Sequence, residues 1–206
     1  FAGAQATALI AAAPAIPLSA LMRANFEGLE ITGIVINMTA RDGSRTGSVD
    51  RISVNKNTVK AGETIELTVI ERNESGQFSS RKVPVTIPAD AAPGTVTLTV
   101  GDGNAVQQNS AITQFTPKSA SELISTINRL KRSDRLYVVL SRTTTGTIIG
   151  SSEMPNLPPS MLATLNNDRT AGGSKPSVQT LISEIELPAG DFIINGSQTL
   201  NIEVTR

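Results

Sequence analysis

The sequence predicts a mainly β protein: an immunoglobulin-like β-sandwich over residues 50–104, then a second β-rich unit over 105–206 carrying one principal α-helix. Three observations predict it. Ile65, Leu67 and Val69, then Val83, Val85 and Ile87, then Val96, Leu98 and Val100 recur at every second position, the period of strands with one buried face. Turn residues at Ala61-Gly62-Glu63, Ser75-Gly76 and Ala92-Pro93-Gly94 punctuate those runs at the spacing of a small antiparallel sandwich. One stretch, 118–142, has helical spacing and runs straight into an apolar strand.

Taken in order, residues 4–13 fit a short helix or strand bounded by Pro14 and Pro17, and 17–22 a helical turn begun by proline. Residues 28–40 alternate through Leu29, Ile31, Ile34, Ile36 and Met38, a strand pattern with a phase shift at Gly33 that predicts a bulge or bend there. A turn at 41–44 and a strand at 46–54 follow, and the strands of 1–49 are expected to pack on one of the two units. Pro84 lacks an amide hydrogen, which predicts that the strand over 81–88 is an edge strand or has its N–H side free there. Gly101 to Asn104 should end the sandwich, and 105–117 is a polar connection.

The helix of 119–132 opens with Ser119 and Glu122 spaced as a capping box. Leu123, Ile124, Ile127 and Leu130 form its apolar stripe, and Arg129, Lys131 and Arg132 suit the negative end of its dipole. The reading is one helix laid against a β chain, its strand at 136–140 entering the neighbouring sheet. Residues 142–146 read as a hairpin tip with a return strand at 147–150. A short helix at 161–165 behind Pro158-Pro159-Ser160, a surface loop at 166–177, and strands at 178–187 and 191–204 complete the chain. Asn195-Gly196 is a type I′ hairpin signal.

Composition excludes several functions. Lys plus Arg and Asp plus Glu number 18 each, so no basic excess favours nucleic acid or an anionic membrane. The absence of His and Cys removes disulfides, imidazole and thiolate metal sites and His-dependent triads. Aromatic residues are 3% of the chain, with no Trp, which disfavours stacking platforms for sugars or single strands. No apolar run approaches the roughly 20 residues of a membrane span. The Ala-rich 4–21 is interrupted by prolines and preceded by no basic region, unlike an intact signal peptide, and Phe1 in place of Met predicts a start inside a longer product.

Candidate sites each have a structural reading beside the functional one. Gly101-Asp102-Gly103-Asn104 lacks the further acids of a calcium loop and reads as a turn. Gly172-Gly173-Ser174-Lys175 lacks phosphate-loop spacing and reads as a loop. Glu184 and Glu186 share a strand face, which suits the solvent side of a sheet more than acid–base work. Arg129, Lys131, Arg132 and Arg135 are the densest basic cluster; they are the candidate partner-binding residues for an acidic peptide or phosphate, or else a solvated helix end. No catalytic, cofactor or metal residue is assigned.

Ser133-Asp134-Arg135-Leu136-Tyr137-Val138, Leu140-Ser141-Arg142, Leu157-Pro158-Pro159-Ser160, Gly172-Gly173, Glu186-Leu187 and Gly196-Ser197-Gln198-Thr199-Leu200 form a scattered pattern. It extends back through Val83 to Pro88, Pro93-Gly94, Val100 to Gly103 and Pro17 to Met22. The pattern resembles the C-terminal region of exported bacterial proteins that carry a SpoIVB-type serine peptidase domain upstream. That resemblance implies an exported (periplasmic or extracellular) location and a non-enzymatic accessory region that presents substrate or binds a protein or peptide partner. Its peptidase needs a His and a Gly-flanked Ser; this chain has no His, and Ser160 lies in no such context. The competing expectations are a stand-alone structural or adhesion-type sandwich, and a His-independent hydrolase using Ser–Lys or carboxylate chemistry.

Overall fold

In the computed structural model, residues 6–23, 26, 30–37, 43, 45–108, 119–149, 152–154, 157–165 and 174–206 are described. The strands are β1 (Thr46–Val54), β2 (Thr58–Lys60), β3 (Thr64–Asn73), β4 (Phe78–Thr86), β5 (Gly94–Asp102), β6 (Leu136–Ile149), β7 (Ser152–Met154), β8 (Ser174–Glu186), β9 (Ile193–Asn195) and β10 (Ser197–Thr205). The helices are short: α1 (Ala6–Ala12), α2 (Ala15–Arg23), α3 (Gly103–Gln108), α4 (Ala120–Asn128) and α5 (Pro159–Leu165). The protein is mainly β and is built on two sheets.

The first sheet has the order β4-β3-β1-β9; the second runs β2-β10-β5-β6, with β8 on the far side of β6 and β7 on its outer end. Tyr137 shows this directly, paired with Gly101 on one side and Glu186 on the other. The order β10-β5-β6-β8 returns the last strand beside the first, a Greek key. Pro84 lies on β4, an edge strand as its missing donor requires.

Alternation places the core. Ile65, Leu67 and Val69 from the first sheet meet Val96, Leu98, Val138, Leu140 and Ile202 from the second, all at most 1% exposed. The 50–104 and 105–206 stretches therefore contribute strands to one sheet and side chains to one buried cluster. Burying each such side chain contributes about 1.5–3 kcal/mol. Glu71 continues the inward phase of β3 and is buried too, with Arg81 3.5 Å away.

Two pairings are parallel, β1 with β9 and β2 with β10. They have one cause: the segments 46–60 and 193–205 run side by side in the same direction while each crosses from the first sheet to the second. Here the structure departs from the Asn195-Gly196 hairpin. Gly196, at φ +88°, carries the chain between sheets rather than folding it back.

Other expectations also change. Residues 30–37 of the anticipated 28–40 strand are irregular and exposed, Val35 at 86%; β-propensity yields a strand only where a partner pairs with it. The rest of that run lies outside the described residues. The principal helix stops at Asn128, because the amides just beyond it are taken elsewhere: Lys131 N–H by the Gln107 side chain (3.1 Å) and Arg132 N–H by Tyr137 Oη (2.8 Å). Ile124 and Leu130 stay exposed, and it is α3 that lies against β5 and β6. Strand β6 does not turn at 142–146; β8 pairs along it and takes 174–177 out of the expected loop.

Candidate functional site

The basic cluster forms where β5, β6 and β8 end, on the outer face of the second sheet. Tyr137 is its centre. It points away from the core because Leu136 and Val138 point in, yet it is only 1% exposed. Lys131 Nζ stands 5.0 Å from the ring centroid and pairs with Glu184. Arg135 bridges Asp134, at 2.8 Å, and Glu186, while Arg132 holds the other oxygen of Asp134 at 2.9 Å. Three of the four predicted partner-binding residues, Lys131, Arg132 and Arg135, are thus brought together and ion-paired. Arg129, the helix C-cap, is exposed and forms no ion pair among the described residues. Glu184 and Glu186 do share a face, and both serve as counter-ions.

The electrostatics follow from these contacts. The Arg135 hydrogen bond holds the Asp134 carboxyl below its ordinary 3.8, against an opposing cost of desolvation, and Asp134 and Glu186 raise the Arg135 guanidinium further. A depressed acid stabilises the fold above its unfolded pKa and loses that contribution as pH falls through the folded value. Acid should therefore loosen this corner below about pH 4, which the carboxyl carbon shift of Asp134 would report.

Tyr137 goes the other way: desolvation raises its phenol above the ordinary 10.0, with the Arg132 amide hydrogen bond opposing. Its stabilisation is present below the unfolded pKa and disappears as pH rises through the folded one. Tyr137 is the sole tyrosine, so ultraviolet titration reads it directly. The native midpoint is expected above 10.0 and should return to the ordinary value on unfolding; a normal native midpoint would refute the buried phenol.

Asp102 is the functional-looking residue whose role the turn reading missed. Its Oδ1 accepts the Ala105 amide at 2.9 Å, capping α3, and its Oδ2 accepts the Gly196 amide at 2.6 Å. Asp102 N–H in turn donates to the Gly196 carbonyl. A side chain on Gly103 would meet the Arg132 carbonyl oxygen at 2.3 Å, and one on Gly101 would meet Ser197 Cβ at 2.9 Å. The Gly-Asp-Gly triplet is therefore set by close packing. The available signal was an Asp three residues before Ala105 at the end of an apolar strand, an N-cap pattern.

Ser160 lies inside α5, where its carbonyl accepts the Thr164 hydroxyl at 2.9 Å. Gly172 and Gly173 lie outside the described residues. Among the described residues no group of three or more carboxylates is gathered to hold a metal, and no helix is long and apolar enough to cross a membrane. A shallow groove of about 470 Å³ opens elsewhere, at the β1–β3 end of the first sheet, lined by Thr46, Gly47, Ser48, Arg72, Asn73 and Glu74 among others.

Fold and site together define a two-sheet β protein whose most conspicuous charges hold its own corner. No protein-family model, no curated protein and no solved structure matches the chain.

Proposed function

We propose that the chain is a non-enzymatic, immunoglobulin-like interaction module of an exported bacterial protein, following a SpoIVB-type peptidase domain. One observation carries the non-enzymatic part. Among the described residues, several side chains suited to chemistry are spent on architecture: Asp102 on two backbone amides, Glu184 and Glu186 on Lys131 and Arg135, and Tyr137 on the Arg132 amide. A general acid or base must instead reach the proton it transfers. The exported and peptidase-linked parts rest on the sequence pattern alone.

An antibody against this chain tests the reading on fractionated source cells. A band far above 21.6 kDa in the exported fraction, with peptidase peptides mapped upstream, is the expected result. A band of that small size confined to the cytosol would overturn it. The second reading, a stand-alone adhesion-type sandwich, draws on the same two-sheet fold and would instead give an exported band near 21.6 kDa that binds cells or matrix.

A further inference from the structure

The outer face of the first sheet carries cations that nothing in the described structure neutralises. Leu67 and Val69 face the core, so Ile70 and Arg72 face out; Ile52 and Val54 pack inward, so Arg51 faces out. Register places Arg51 opposite Ile70, and Arg72 between Ser48 on β1 and Phe78 on β4. Arg51 and Arg72 therefore stand diagonally on this face, with the β1 irregularity between Val49 and Arg51 lying between their register positions. Both are exposed, and neither forms an ion pair among the described residues, whereas Lys131, Arg132 and Arg135 all do.

Two further features adjoin this pair. Phe78 is 63% exposed on the same face as its register partner Arg72. Arg72 also lines the 470 Å³ groove, together with Thr46, Gly47, Ser48, Asn73 and Glu74. Glu74, on the rim, accepts a hydrogen bond from the Thr46 hydroxyl, and Glu66 on this face is paired with Lys82.

We propose that this face binds an extended acidic peptide segment, its carboxylates on Arg51 and Arg72 and an apolar side chain against Phe78. Planar guanidiniums suit bidentate carboxylate recognition, and a single exposed aromatic beside them supplies an apolar anchor. A nucleic acid fits worse: the chain has no net positive charge, and a continuous phosphate backbone needs a longer run of cations than Arg51 and Arg72 supply. The proposal rests on the interaction-module reading and gives it a ligand class.

Fluorescence anisotropy with a short fluorescein-labelled peptide of alternating Glu and Leu tests it, against the same peptide with Gln for Glu. The wild-type protein should bind the Glu peptide at least about tenfold more tightly, and added salt should weaken that binding. The double variant Arg51→Glu, Arg72→Glu should lose about tenfold or more, and Phe78→Ala should also weaken binding. Arg129→Glu, in the cluster first singled out, should leave affinity unchanged. These positions are on the surface, and circular dichroism would verify the folds. Equal binding of both peptides, or a loss in Arg129→Glu without one in the double variant, would overturn the assignment. Binding of neither peptide also overturns it, while the parent-protein experiment still judges the module reading by itself.

Discussion

Leu140→Ala should lower the unfolding transition of the whole chain, and Leu67→Ala should lower that same transition by a similar amount. Leu140 lies on β6 and Leu67 on β3, in stretches whose patterning reads as two separate units, but both are at most 1% exposed in one cluster. Truncating a buried Leu costs about 2–5 kcal/mol through lost transfer energy and the cavity left behind. In a protein of this size that lowers Tm by roughly 4–20 °C. Scanning calorimetry decides the point. One peak displaced by either substitution shows a shared core; two peaks, each answering to one substitution only, would show that the sheets unfold independently.

Asp102→Ala is expected to destabilise by about 2–4 kcal/mol, a large effect for one residue at a strand end. The carboxylate serves two backbone donors, Ala105 N–H and Gly196 N–H, at a position only 6% exposed. Removing it uncaps α3 and leaves a part-buried amide unmet at the crossing between sheets, at about 1–3 kcal/mol per unsatisfied group. Asp102→Asn separates the two: its one amide oxygen can serve one donor while its NH₂ opposes the other, so roughly half the loss should remain. Chemical denaturation of both variants measures this. Equal, negligible losses would mean that the paired bonds do not hold the corner. Gly103→Ala reaches the same corner by another route, since its new methyl would collide with the Arg132 carbonyl.

Much of the β pattern was legible because its signal is local. A strand with one wet face must alternate, so the periods through Ile65–Leu67–Val69 and Val96–Leu98–Val100 announced β3 and β5, and Pro84 announced an edge. Ser119 accepts the Glu122 amide at 3.2 Å, so the helix start was legible as well, its cap being three residues from its donor.

The helix end, residues 30–37 and the crossing at Gly196 were not legible, because each depends on a distant partner. Lys131 is withdrawn from the helix by the Gln107 side chain, 24 residues away, and Ile34 has strand propensity without an edge to join.

The candidate site divides in the same way. The sequence by itself determined that Arg129, Lys131, Arg132 and Arg135 lie close together, since proximity along the chain needs no fold. Only the tertiary structure decided that three of them meet Asp134, Glu184 and Glu186, and that Arg51 and Arg72 share the outer face of the first sheet with no ion pair among the described residues. Charge density is a property of the chain, but neutralisation depends on which strands β pairing sets side by side, and that register is fixed between residues far apart in sequence.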